Sequence, residues 1–126
     1  MKSDHAPGDD VILLVEDESL VSIVTEETLN EAGYTVHLAM RLEEGMNLAQ
    51  ELEFDAAVLD INLGGGTNSY PIAHVLRSRG VPFMFVSGYG TAGVDTEFSD
   101  VMVVQKPFDP WELLAAVAAC MKKGHA

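Results

Sequence analysis

Short, strongly apolar segments alternate along the chain with longer segments in which apolar and charged residues recur at helical spacing. The short segments are rich in Val, Ile and Leu and are bounded by polar or glycine-rich residues, which is typical of strands buried on both faces of a sheet. We predict five strands, at Val11–Val15, Tyr34–Ala39, Ala56–Leu59, Val81–Val86 and Val101–Val104. The longer segments predict four helices, at Ser19–Ala32, Arg41–Leu52, Tyr70–Arg79 and Trp111–Met121.

The first predicted helix has a clear apolar repeat, whereas the segment between the fourth and fifth strands has almost none. In Ser19–Ala32, the apolar residues Leu20, Val24 and Leu29 recur among acidic residues, and Gly33 follows at the C-terminal end, where glycine often ends a helix. The segment "GYGTAGVDTEFSD", residues 88–100, has three glycines and little apolar periodicity. We therefore expect a loop there with at most a short helix, and we expect Tyr89–Ser99 to be poorly ordered or irregular without phosphate.

The alternation of strands and helices defines the expected fold class. Strand and helix alternate about five times, which indicates an α/β fold with a doubly wound, five-stranded parallel sheet and helices on both faces. In such sheets, ligands bind outside the carboxyl ends of the strands, where the strand order reverses. The residues that directly follow each strand are therefore the candidates for chemistry.

Length, charge and cysteine content narrow the class of protein. The 126 residues fit one domain, and 20 acidic against 7 basic residues give a net charge of −13, which argues against binding to nucleic acid or to an anionic membrane. The single cysteine, Cys120, has no internal disulfide partner and fits a reducing cytoplasm. No apolar run is long enough to span a bilayer, and the polar residues 1–10 suggest a short flexible leader before a domain at 11–123.

Chemistry-bearing side chains follow four of the five predicted strands. Acidic residues follow the first and third strands, a hydroxyl follows the fourth, and an ammonium follows the fifth. Each alone has a plain structural explanation, but together they would converge on one edge of the sheet. The residues are Glu16, Asp17, Glu18, Asp60, Ser87 and Lys106.

A hard divalent cation and a phosphoryl group suit this set of side chains. Asp17 and Asp60 would repel each other, and Mg²⁺ (or Mn²⁺) relieves such repulsion because it prefers oxygen ligands. A carboxylate can also attack phosphorus to give an aspartyl phosphate. Lys106 would then supply positive charge to the phosphoryl oxygens, and Ser87 could donate a hydrogen bond to them.

With these residues in order, the chain resembles the receiver domain of two-component response regulators. The resemblance covers about 11–121 and rests on the segments "VILLVEDE", "AVLDINL", "FMFVSGYG" and "VVQKPFD". It implies a flavodoxin-like sheet of strand order 2-1-3-4-5 with a weak fourth helix. The segment "FVSGYG" with the later "KPF" is more specifically similar to single-domain receivers of Alphaproteobacteria.

The resemblance implies a role for each residue at the strand ends. Asp60 resembles the phosphoacceptor, Asp17 a direct magnesium ligand, and Glu16 a residue that acts on the metal through water. Asn62 matches the position whose backbone carbonyl binds the metal. The family pattern makes Ser87 the hydroxyl that senses the phosphoryl group and Lys106 the lysine that pairs with it, with a Lys–Pro bond that is commonly cis.

The implied activity is signalling rather than turnover of a separate substrate. A receiver takes its phosphoryl group from a sensor histidine kinase or a histidine phosphotransfer protein, and it catalyses its own phosphorylation and dephosphorylation. Because the chain ends after the last predicted helix, the expectation is a stand-alone receiver in the cytoplasm with no output domain, which acts on a downstream protein whose identity the sequence does not give.

Three features depart from the usual receiver pattern. Val103 stands where many receivers carry an aromatic switch residue, so activation must use other parts, such as Tyr89 or its loop. The loop after Asp60 contains "GGG" in place of the usual Met-Pro and is expected to be more mobile. Tyr89, two residues after Ser87, is hypothesised to shield Asp60 partly from water, although an exposed loop tyrosine is a comparable alternative.

Two other functions remain open at this point. A flavodoxin-like cofactor domain would need free backbone N–H groups after the first strand, but the three acidic residues 16–18 would repel a phosphate there. A receiver fold that acts as an interaction module without phosphorylation is the other alternative. The complete set of Asp17, Asp60, Ser87 and Lys106 argues against it.

Overall fold

A computed structural model describes residues 10–124 of the chain. Its strands are Val11–Val15 (β1), Thr35–Ala39 (β2), Ala56–Asp60 (β3), Phe83–Ser87 (β4) and Val103–Gln105 (β5). Its α-helices are Ser19–Glu31 (α1), Leu42–Glu51 (α2), Tyr70–Ser78 (α3) and Pro110–Gly124 (α4). The expected leader, 1–10, lies outside the described residues except for Asp10.

The five strands form one parallel sheet in the order β2-β1-β3-β4-β5, which confirms the predicted fold class. The strands are in register near their carboxyl ends: Val15 lies beside Leu59, and Ser87 lies beside Gln105. The residues that follow or close these strands therefore meet at one edge of the sheet. The strand order reverses between β1 and β3, where ligands bind in folds of this class.

Side chains of the central strands alternate between two hydrophobic layers. Leu13 and Val15 of β1 face a layer shared with buried residues of α2 and α3, whereas Ile12 and Leu14 face a layer shared with α1 and α4. This alternation explains why the strands read as continuous apolar runs, since both faces of the sheet are covered. β4 begins at Phe83 rather than at the predicted Val81, because Pro82 has no N–H to donate to the ladder.

Helix α1 forms as predicted, but its apolar repeat does not mark its buried face. Leu29 is fully buried, whereas Leu20 is 75% exposed and Val24 is 52% exposed. The side chains that face the sheet include Ser22 and Thr25, which are small and polar. The Ser22 hydroxyl donates to the Ser19 carbonyl at 2.7 Å, so its polar group is satisfied inside the helix. Leu20 and Val24 of α1 therefore lie on the surface, and Leu29 lies in the core.

The segment between β4 and β5 has no α-helix, as expected from its sequence. It forms two short 3-10 helices, Gly90–Gly93 and Thr96–Phe98. Phe98 is fully buried and its ring stacks on Tyr70, with ring centroids 5.0 Å apart. The segment is thus irregular but packs against the rest of the molecule through a buried aromatic side chain.

Candidate functional site

A cavity of about 660 Å³ opens at the carboxyl edge of the sheet. It collects the side chains that were predicted from the strand ends, together with the loop that follows β3. The predicted site residues that line it are Asp17, Asp60, Asn62, Ser87 and Lys106. Glu16, which is 3% exposed, lies below this surface and contacts Lys106. The structure therefore brings every predicted site residue to one place.

Three carboxylates come together on one side of the cavity. Glu16, Asp17 and Asp60 each offer an oxygen atom within 4.8 Å of the other two. The end of β1 is fixed because the Glu16 N–H donates to the Ala39 carbonyl at 3.1 Å, and Asp60 is the last residue of β3. The backbone ladder therefore holds these acidic groups close together despite their repulsion.

The Lys106 ammonium lies among the carboxylates. Its Nζ is 3.1 Å from Asp60 Oδ2, 3.0 Å from Glu16 Oε1 and 3.1 Å from Glu18 Oε1. The Lys106 N–H donates to the Ser87 carbonyl at 2.9 Å, which fixes the end of β5 to the end of β4. The Lys106–Pro107 bond is cis, as the resemblance implied.

The electrostatics of the cluster raise the pKa of both Asp60 and Lys106, which favours the neutral form of Asp60 but the charged form of Lys106. Burial, then a hydrogen bond and charge repulsion from Glu16, raise the pKa of Asp60 to about 7, although Lys106 acts to lower it. Burial alone would lower the pKa of Lys106, but its hydrogen bonds and charge interactions with Glu16, Asp60 and Glu18 keep it above its ordinary value. Lys106 therefore remains charged, while Asp60 needs further positive charge to be fully ionised at neutral pH.

The donor set fits a hard divalent cation. Carboxylate oxygens that converge within 4.8 Å, one of them on a carboxyl whose ionised form is disfavoured, are a suitable environment for Mg²⁺. Gly64 brings the loop after β3 close to this group, since a Cβ there would lie 3.2 Å from Asp17 Oδ2. The φ of Gly64 is +82°, so any other residue would be strained as well as crowded.

The loop after β3 is closed by backbone hydrogen bonds. The N–H groups of Leu63, Thr67 and Ser69 donate to the carbonyls of Thr67, Gly64 and Ile61, each at 2.9 Å. The glycine run thus forms a compact turn in the resting structure, while its greater mobility stays a prediction. Asn62 lies in this turn at the cavity wall, and its role as a carbonyl ligand also stays a prediction.

The opposite wall of the cavity is formed by the end of β4. Ser87 is 4% exposed, and its Oγ accepts a hydrogen bond from the Tyr89 N–H at 3.0 Å. Gly93 approaches closely, because a Cβ there would lie 3.3 Å from Ser87 Oγ. Tyr89 lines the cavity and is 74% exposed, so most of its side chain faces solvent in this conformation.

Two features of the site were not predicted from the sequence. The sequence places Glu18 among the acids after β1 without indicating a role for it, and the structure shows it paired with Lys106. An apolar groove of about 510 Å³ also adjoins the cavity, and Glu18 and Lys106 line both of them. The exposed apolar residues of α1 gave a signal for this groove, which is lined by Leu20, Val21, Val24, Thr25, Pro107 and Phe108.

Comparisons with known proteins identify the family to which this chain belongs. The family model for the response regulator receiver domain matches residues 12–118, which is most of the chain. The chain therefore belongs to the receiver domain family of two-component response regulators. No helix within residues 10–124 is long and apolar enough to cross a membrane.

Individual relatives agree with this assignment. The transcriptional regulatory protein CusR of Escherichia coli is 34% identical over 91% of this chain, and the chain spans about half of its length. The solution structure of SdrG from Sphingomonas melonis is 34% identical, with a TM-score of 0.80, over 92% of this chain and 99% of that one. The receiver domain of sensor histidine kinase PA1611 from Pseudomonas aeruginosa, with a magnesium ion coordinated in its active site cleft, is 26% identical, with a TM-score of 0.77, over 90% of this chain and 98% of that one.

Proposed function

We propose that Asp60 accepts a phosphoryl group from a phosphohistidine of a sensor histidine kinase or phosphotransfer protein, and that the phosphorylated protein signals by binding another protein. The observation that carries this proposal is the position of the Asp60 carboxylate, in an open cavity and 3.1 Å from the Lys106 ammonium. An acceptor carboxylate needs this combination of access and positive charge.

In the proposed reaction, an Asp60 carboxylate oxygen attacks the phosphorus atom while the phosphorus–nitrogen bond to the donor histidine breaks. The imidazole leaves with the electron pair of the broken bond on its ring nitrogen, and no metal ion has to bind it. Lys106 offsets charge on the phosphoryl oxygens, and the Ser87 hydroxyl can donate a hydrogen bond to one of them. Mg²⁺ held by Asp17, Asp60 and the Asn62 carbonyl, with Glu16 acting through water, would supply further positive charge.

The groove beside the cavity supports a protein as the phosphoryl donor. Leu20 and Val24 are exposed on α1, and the groove that they line also contains Lys106. A protein that brings a histidine to Asp60 from this side would cover these apolar side chains, which gives it binding energy that a small donor lacks. The coordinated magnesium ion in the PA1611 receiver supports the same cation here.

The protein is also proposed to catalyse loss of its own phosphoryl group, by attack of water on phosphorus with Asp60 as the leaving group. The position of Asp60 at the wall of a cavity, with Tyr89 largely in solvent, supports attack by water. We further propose that residues 11–123 form the receiver domain and that it works in the cytoplasm, which the lone, buried Cys120 supports.

Intact mass after incubation with Mg²⁺ and acetyl phosphate tests the proposal. We expect a gain of one phosphoryl group in the wild-type protein, no gain in Asp60→Asn, and an unchanged gain in the control Asp95→Asn, which alters an exposed acid. Removal of Mg²⁺ with a chelator should abolish the gain. A wild-type protein that stays unmodified would favour the interaction module that works without phosphorylation, and a gain that persists in Asp60→Asn would place the acceptor elsewhere.

A further inference from the structure

Glu18 contacts the Lys106 ammonium as closely as the acceptor Asp60 does. Its Oε1 is 3.1 Å from Lys106 Nζ, the same distance as Asp60 Oδ2. Unlike Asp60, it has no part in the proposed metal or phosphoryl contacts. The pair joins a side chain that is 17% exposed to one that is 61% exposed, so Glu18 reaches Lys106 from the solvent side.

The hydrogen-bonding capacity of Lys106 makes this contact consequential. A lysine ammonium has three N–H donors. Within the described part of the chain, three carboxylates lie within hydrogen-bond distance of it, those of Glu16, Glu18 and Asp60. These contacts use the full set of donors. A phosphoryl oxygen that approaches Asp60 must therefore take one of them from a carboxylate.

The three carboxylates differ in how easily they can release Lys106. Glu16 is 3% exposed and would be left as a poorly solvated charge, and the same holds for Asp60, which is 5% exposed, until it attacks phosphorus. Glu18 is largely exposed, and water can replace its contact with the ammonium. Glu18 is thus the carboxylate that Lys106 releases at the lowest cost.

We infer that Glu18 is a positioning residue that holds Lys106 in its resting place and thereby restrains phosphorylation of Asp60 by small phosphodonors. This inference rests on the proposed function. The restraint has a defined physical origin, since the contact both occupies a donor and holds a negative charge beside the path of an anionic phosphodonor. Loss of the contact should leave one N–H of Lys106 free for the incoming phosphoryl oxygens.

Two variants separate the contact from the charge. Glu18→Gln keeps the length of the side chain but removes its charge. Glu18→Asp keeps the charge but is shorter by one methylene, so its carboxylate falls short of Lys106. Glu27→Gln is the matched control, because it removes an exposed acid from the helix that follows Glu18, about 13 Å further along at about 1.5 Å per residue.

The rate of phosphorylation by acetyl phosphate at saturating Mg²⁺ is the first measurement. We expect an increase of about two- to five-fold in Glu18→Gln and about two-fold in Glu18→Asp, as for release of a partly exposed ion pair, and no change in Glu27→Gln. The affinity for beryllofluoride, a phosphoryl mimic, should rise in the same order. Thermal unfolding of each variant checks that α1 remains folded.

Each outcome decides the inference. A faster rate in both Glu18 variants supports it. An increase confined to Glu18→Gln would show that charge alone acts and would overturn the positioning role, as would unchanged or slower rates in both variants. If the wild-type protein takes up no phosphoryl group, the proposed function fails and this inference fails with it, whereas a phosphorylated wild type with unaltered Glu18 variants overturns the inference alone.

Discussion

Two regions border the same cavity but are held in place by different means. The carboxyl edge of β1 and β3 is part of a continuous backbone ladder, with Glu16 and Asp60 almost fully buried. The segment 90–98 has only two short 3-10 helices and is held mainly by the buried ring of Phe98. The carboxylates of the proposed chemistry are therefore held by rigid strands, whereas the cavity wall beside Ser87 can change its conformation at a lower cost in free energy.

Helix α3 supplies several side-chain contacts to the 90–98 segment. The Tyr70 hydroxyl donates to the Gly93 carbonyl at 3.3 Å and accepts from the Asp95 N–H at 3.0 Å. Arg77 of the same helix, α3, lies over the Phe98 ring at 5.2 Å and pairs with Asp100 at 3.2 Å. Helix α3 directly follows the loop after Asp60, so one helix adjoins both that loop and the segment.

The largest expected effect comes from removal of the aromatic anchor of the segment. Phe98→Ala should lower the free energy of unfolding by about 3–5 kcal/mol, because it deletes a fully buried ring that contacts Tyr70 and Phe85. Urea unfolding measures this loss. The control Leu20→Ala removes a side chain that is 75% exposed and should cost less than about 0.5 kcal/mol. Equal costs in the two variants would mean that the segment is not docked through Phe98.

The charge repulsion at the carboxyl edge should make the free energy of unfolding depend on pH. The pKa of Asp60 is about 7 in the folded protein against 3.8 in the unfolded chain, so the folded state binds more protons. Stability from this group is therefore lost as pH rises from about 4 to 7. Without divalent cations, Asp60→Asn should be stabilised relative to wild type by on the order of 2 kcal/mol more at pH 8 than at pH 5.

Urea unfolding at the two pH values checks this prediction. A stability difference between variant and wild type that is the same at pH 5 and pH 8 would contradict it. Addition of Mg²⁺ at pH 8 sharpens the result, because a cation among the carboxylates should stabilise the wild type more than Asp60→Asn.

A smaller effect is expected from the hydroxyl that fastens the segment to α3. Tyr70→Phe keeps the ring against Phe98 but loses two hydrogen bonds, which should cost about 1 kcal/mol. Hydrogen exchange should become faster at Asp95 and its neighbours, while the amides of β3 keep their protection. Protection of residues 89–99 equal to that of the core strands in the wild type would contradict the prediction that this segment opens easily.

The smallest effect concerns Tyr89 at the mouth of the cavity. If its ring partly shields the phosphoryl group, Tyr89→Ala should shorten the lifetime of phosphorylated Asp60, by less than about three-fold because the ring is 74% exposed in the resting structure. Intact mass at successive times after removal of the donor measures the lifetime. An unchanged lifetime would leave Tyr89 as an ordinary loop side chain.

The same comparison explains what could be predicted from the sequence. The strands and the residues that end them follow from apolar runs and from the rule that ligands bind at the carboxyl edge, so the positions of Asp60 and Lys106 were accessible. Burial on α1 was not, because small polar residues such as Ser22 face the sheet and leave Leu20 outside. Periodicity identifies a helix but does not show which face meets the core when both faces carry apolar residues.

The irregular segment was recognised only as a departure from regular structure. Its conformation depends on Phe98 and on Tyr70, which is separated from Asp95 by 25 positions in the chain. A pairing of this kind leaves no local pattern in the sequence. The same holds for the contact of Glu18 with Lys106, since the two residues are 88 positions apart and meet only because β1 and β5 lie in one sheet.

All candidate site residues lie at the carboxyl edge of the sheet, so a probe can be attached at the opposite rim. Glu53, exposed in the turn before β3, lies at that far rim. A fluorophore attached through Glu53→Cys would be linked to the strand that ends in Asp60 and would not block the approach of a donor or a cation. The molecule could thus be tethered or tracked during signalling from the end of the sheet opposite to the candidate site.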